Sequence, residues 1–199
     1  MPTGVAMRDA REQLFDAAER VLLRDGPNAL TSRAVTTEAD CAKGVLHRHF
    51  ADFDAFLAEL VLDRAARIGP QAAALYDSAG TGTVAGNLTG ALTELFETVA
   101  VAIVGLVISR DDLRARLRRA GSTGVPILAE AGAMLASYLT AECEMGRIAA
   151  DADTDTLAFT LVGAGHLLYA GTGSTPPEAG AVHRIVTTVI ADVVQRRLL

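Results

Sequence analysis

Tryptophan is absent from these 199 residues, aromatic side chains amount to 5%, and the chain has two cysteines and a single lysine. Each scarcity excludes something. Two cysteines, Cys41 and Cys143, cannot staple a secreted scaffold, and neither stands in a CxxC or Cys/His metal spacing, so a reducing cytoplasm is the expected compartment. With half the residues apolar and so few aromatic, the expected core is Ala, Leu, Val and Ile in packed helices. The formal net charge of −6 leaves no global basic field, so any polyanion must be held locally. The longest apolar run lies between Glu97 and Ser109. It is shorter than the ~20 residues of a membrane span, and the charged N-terminus lacks the apolar run of a secretory signal. No membrane partner is expected, and the run reads as a buried core helix.

What the chain has is helical periodicity. Leu14, Phe15, Ala18, Val21 and Leu22 form one face of a helix over residues 8–25, stopped by Gly26 and Pro27. Thr31 or Ser32 caps a short second helix with Val35 and Ala39 on one face. Asp40-Cys41-Ala42 reads as a tight turn, and a third helix follows through about His49. After a break at 50–52, a fourth helix carries Phe53, Phe56, Leu57, Leu60 and Val61. Residues 78–87 look most like a linker. Beyond them, Leu88 to Leu106 give one continuous stripe, 111–120 a short helix with acids first and arginines last, and 126–145, 154–170 and 180–197 three more helices. No strand alternation or internal repeat is found, so the expected class is all-α.

The stretch DCAKGVLHRHF, residues 40–50, holds the only lysine, Arg48 and two of the four histidines. On a helical wheel Ala42, Leu46 and Phe50 fall inward, while Gly44 and Arg48 fall opposite with Lys43, His47 and Val45 flanking them. A mid-helix glycine costs about 1 kcal/mol against alanine and suggests close approach to something bulky. Three helices, a tight turn between the second and third, and cations on the third describe a helix-turn-helix head. Residues 1–64 hold eight Lys/Arg against eleven Asp/Glu, so it is the placement of Arg33, Lys43 and Arg48, not net charge, that favours DNA.

Residues 11–57 resemble the N-terminal domain of TetR-type transcriptional regulators. Ala17-Ala18, Gly26, Thr31, Val35, Ala39, Lys43-Gly44, Leu46 and His49-Phe50 match the pattern. Asp40 replaces its usual turn glycine, Thr36 a small alanine, Ala42 a Ser/Thr cap, His47 a phosphate-contacting tyrosine, and Phe53 a lysine at the start of the fourth helix. The resemblance implies a DNA-binding domain over 1–52 and a helical effector-binding and dimerisation domain over 53–199. It implies operator DNA, a small-molecule effector and a second copy of the chain as partners, with repression relieved by the effector. The residues expected at DNA are Arg8, Thr31, Ser32, Arg33, Ala42, Lys43, Gly44, Val45, His47, Arg48 and His49. Arg48 suits a bidentate contact to guanine; Lys43 and His47 suit positioning.

For the effector, Tyr76, Phe96, Met134, Tyr138, His166 and Tyr169 have the shape or polarity to line an apolar cavity. For the dimer, Leu161, Gly165, Leu168, Ile185, Val189 and Val193 lie on helices apolar over too much of their surface for a monomer, and could form a four-helix bundle with their copies. Residues 153–155 read as a helix cap, and 80–86 lack the preceding strand of a dinucleotide loop. Ser174 has no nucleophile-elbow context. No catalytic residue, metal site or cofactor is expected. The other class left open is a small-molecule-binding or enzymatic bundle that has lost DNA recognition.

Overall fold

The computed structural model describes residues 4–42, 44–172 and 175–196, without the side chains of 4–9, 172, 195 and 196. Those residues contain helices and no strand. They run α1 (Gly4–Asp25), α2 (Ser32–Glu38), α3 (Gly44–His49), α4 (Phe53–Ala66), α5 (Ile68–Asp77), α6 (Val84–Phe96), α7 (Ala100–Ser109), α8 (Asp111–Arg119), α9 (Pro126–Glu144), α10 (Thr154–Thr172) and α11 (Ala181–Arg196). The chain condenses into two compact units. One comprises residues 1–63 and 102–126, the other 64–101 and 127–199.

In the first unit, Leu14, Phe15, Ala17, Ala18, Val21 and Leu22 are buried, because the α1 spacing puts them on one stripe. Gly26 ends α1 at φ 80°, donating its N–H to Leu22 O at 3.0 Å. Phe15, Phe50 and Phe56 meet with ring centroids 5.0–5.8 Å apart, each burial being worth about 1.5–3 kcal/mol. That cluster fixes α3 and α4 against α1. Leu113 and Leu117 bury one face of α8.

The second unit packs α6, α10 and α11 against one another and α5 against α6. Two expectations are corrected. The stripe from Leu88 to Leu106 is two helices, because the Thr98 hydroxyl bonds to Leu95 O and accepts from Ala100 N, closing α6 and opening α7. The 78–87 stretch is an anchored turn rather than a linker. Asn87 Nδ2 donates to Ser78 O, Thr81 O and Tyr138 Oη, and Arg147 donates to Thr81 O and Gly82 O. Glu142, with no exposed side-chain surface, accepts from Arg147 at 3.2 Å and Gly80 N at 3.3 Å. Burial pushes the Tyr138 hydroxyl well above its ordinary pKa, and neighbouring Glu142 adds to the shift. No single helix among the described residues is long and apolar enough to cross a membrane.

Candidate nucleic-acid interface

The head is assembled from local rules. Thr31 is the N-cap of α2, its hydroxyl accepting from Ala34 N at 3.1 Å. Thr36, buried at the position where alanine is usual, donates to Ser32 O at 3.0 Å and Arg33 O at 3.2 Å, so its hydroxyl is satisfied without disturbing the fold. Arg20 and Arg24 of α1 both reach Glu38 at 2.8 Å. Those bonds hold the Glu38 carboxyl below the usual range and tie α1 to the end of α2. At the turn, Asp40 has φ 49°, the one left-handed non-glycine backbone among the described residues. Aspartate tolerates that region better than most side chains, and Cys41 N then bonds back to Thr36 O at 3.0 Å. Burial, with the Asp40 carboxylate beside it, raises the Cys41 thiol pKa.

The turn sets the face of α3. Leu46 and Phe50 are buried, and Gly44, His47 and Arg48 are exposed. A Cβ on Gly44 would meet nothing within 4 Å, so the chain itself does not demand glycine there. Val45 and His49 are half-buried. Ala42 is exposed, which corrects the wheel: it precedes α3 and does not share its inward stripe. Thr31 and Arg33 are exposed. Ser32 is half-buried, and its Oγ has no partner among the described residues. Lys43 and the Arg8 side chain lie outside the described residues. Arg11 turns inward, its guanidinium 4.6 Å from the Phe50 ring and paired with Glu59.

At the far end of α3, Asp52 Oδ1 caps α4 by accepting from Ala55 N at 2.6 Å, and Oδ2 accepts from Arg116 at 2.7 Å. The Ala55 bond, then Arg116, keep this carboxyl below the usual range. Arg110 donates to Leu30 O at 2.7 Å and lies 5.7 Å from the centre of the Phe53 ring. The sequence pattern does not announce these contacts, because Arg110 and Arg116 stand 80 and 64 residues from their partners.

In the second unit, Phe96, His166 and Tyr169 come together, with ring centroids 6.2 Å and 5.8 Å from Phe96. Burial lowers the His166 pKa and raises that of Tyr169. Met134 and Tyr138 are buried and Tyr76 is exposed. A separate groove of about 450 Å³ is lined by Val84, Arg147, Ile190, Ala191 and Val194, among others, and by none of the six effector candidates. Leu161 is buried, and Gly165 sits so close to Phe96 that a Cβ would come within 2.7 Å of its ring. Neither has surface to offer a partner. Leu168, Ile185 and Val189 are half-buried and Val193 is buried. The exposed apolar line on α10 is instead Phe159, Gly163 and Leu167, with the two large residues 81% and 74% exposed. Among the described residues no cluster of three or more His, Cys, Asp or Glu could hold a metal.

The three-helix head with an exposed cationic third helix defines a helix-turn-helix protein. Residues 14–60 match the family described as bacterial regulatory proteins, tetR family, and over nine-tenths of its length the chain shares the fold of solved regulators. A protein from Mesorhizobium loti described as a TetR-family transcriptional regulator is 17% identical with a TM-score of 0.69, over 95% of this chain and 96% of that one. The fatty acid degradation regulator FadR of Bacillus halodurans is 15% identical, with a TM-score of 0.68 over 90% and 97%. FadR of Bacillus subtilis, solved with stearoyl-CoA, is 17% identical with a TM-score of 0.67, over 90% and 97%. No curated protein matches the chain in sequence.

Proposed function

We propose that the chain is a homodimeric, DNA-binding transcriptional repressor, released from a palindromic operator by a small, largely apolar effector. The observation that carries this is the outward face of α3. Gly44, His47 and Arg48 are held out by a helix whose other side is locked into the Phe15–Phe50–Phe56 core. Arg48 pairs with a base edge, while Lys43, His47, Thr31 and Arg33 set register on the backbone. The dimer covers Phe159, Gly163 and Leu167 with their copies, together with the half-buried edge of α11. The effector enters the second unit near Phe96, His166 and Tyr169. Its apolar character follows from α6, α7 and α10, which carry only Glu94 and Asp155 as charged residues. Its binding must favour one of two states, by typically 1–3 kcal/mol, to weaken DNA affinity. No enzymatic step is part of this reading.

The test is selection from a random duplex pool with the wild type and Arg48→Ala in parallel. Enrichment of a palindrome by the wild type, abolished in the variant, is the expected result. No enrichment by either at low salt would sink the DNA reading and leave a helical binding bundle.

A further inference from the structure

We infer that α8 is a second DNA-contacting element, with Arg116 and Arg119 gripping the phosphate backbone beside the groove that α3 enters. The inference rests on the DNA-binding reading above and goes beyond it, since a helix-turn-helix head is read through its own three helices.

Residues 1–63 carry seven Lys/Arg against eleven Asp/Glu, a poor surface for a polyanion. Residues 102–126 belong to the same compact unit and add five arginines, 110, 114, 116, 118 and 119, against Asp111 and Asp112. The cations missing from the head are therefore supplied by α8 and the residue preceding it.

Leu113 and Leu117 bury the inner side of α8, and at 100° per residue this sends Arg116 and Arg119 to one flank and Arg114 and Arg118 to the other. The first flank faces the end of the reading helix: Arg116 lies 2.7 Å from Asp52, three residues beyond the end of α3. Phosphates line both rims of a major groove about 12 Å wide. With α3 in the groove, Thr31 and Arg33 address one rim, and the junction at Asp52 addresses the other. Phe53, the first residue of α4 there, has no charge to offer.

Asp52 uses one oxygen to cap α4 and the other to hold Arg116, so it acts as a positioning residue. A guanidinium has five N–H donors in a fixed fork, which leaves Arg116 able to bridge Asp52 and a phosphate. Arg119 is exposed and bonds to Ala115 O of its own helix at 3.3 Å. Arg114 lies on the other flank, where it bonds to Asp111 and Ile108 O.

The experiment titrates the full-length chain onto a duplex recovered from the pool and onto an unrelated duplex, following fluorescence anisotropy across salt concentrations. Arg119→Gln and Arg116→Gln/Arg119→Gln are compared with wild type, and Arg118→Gln on the other flank is the control. The expected result is a log Kd against log salt slope lowered by about 0.9 for each phosphate left without its arginine. Both duplexes should weaken by a similar factor, and the control should stay at wild type. Arg119→Gln alone keeps the test valid if the double variant melts early. Unchanged slopes while wild type binds would overturn the inference and leave the operator reading standing. Failure of wild type to bind any duplex would remove both.

Discussion

Asp40 occupies the left-handed region at the turn before α3, and its neighbour Cys41 completes the turn by bonding to Thr36 O. The conformation was legible from the sequence, since an aspartate standing where glycine is usual is among the few residues that adopt it. Replacing it separates two side-chain effects. Asp40→Gly should leave stability nearly unchanged, the relief of strain offsetting the greater freedom of the unfolded chain. Asp40→Val should cost about 1–2 kcal/mol, because a β-branched side chain clashes there. Urea unfolding of the two variants reads the difference directly, and equal midpoints would mean the turn does not hold this shape in solution. Other residue roles were not legible. Nothing in the spacing of Arg110 or Arg116 announces a partner as distant as Leu30 or Asp52. Likewise nothing in the pattern announces that Arg11 of α1 is held by Phe50 and Glu59.

Among the elements, α1 to α4 were readable because each carries a single apolar stripe and a cap or stop. The helix α5 was not: Gly69 and Pro70 lie in its first turn, and proline is tolerated there only because those N–H groups lack helical partners. On α10 the pattern failed differently. Phe159, Leu161, Val162, Leu167 and Leu168 surround the helix, so periodicity cannot say which stripe packs inward. The structure answers with Gly165, which faces Phe96, while Gly163 faces outward with nothing within 4 Å. Opposite outcomes follow for the same chemical change. Gly165→Ala should destabilise by up to about 2 kcal/mol, since overpacking of roughly 1–3 kcal/mol outweighs the gain in helix propensity of about 1 kcal/mol. Gly163→Ala should raise the thermal midpoint of the isolated protomer by that propensity gain. If both variants stabilise, α10 does not pack against α6 through Gly165. The Phe159–Leu167 line makes its own claim: Leu167→Asp should convert dimer to monomer in analytical ultracentrifugation, and an unchanged mass would place the interface elsewhere.

For the whole molecule, pH separates three windows of stability. Burial lowers the His166 pKa, so the unfolded chain binds that proton more readily, and this contribution is lost as pH falls below about 6.5. Glu38, Asp52 and Asp153 have depressed pKa values; their contributions persist above the ordinary carboxylate pKa of about 4 and vanish below it. Tyr138 and Tyr169 are shifted upward by burial, so their contribution is complete below pH of about 10 and lost as they ionise. Urea midpoints across pH should therefore fall at both ends, and His166→Gln should abolish the step near neutrality while leaving the acid limb. An unaltered step would assign it to another group.

The central claim is that Arg48 reads a base, and it is tested most directly by crossing one residue with one base pair. Wild type and Arg48→Ala would be titrated onto the recovered site and onto versions with each guanine of a half-site replaced in turn. If Arg48 makes a bidentate contact, wild type should lose about 1–3 kcal/mol at one guanine, and Arg48→Ala should bind that substituted site and the original equally well. If Arg48→Ala weakens every site by the same factor and still discriminates at each guanine, the residue is a backbone contact and sequence is read elsewhere.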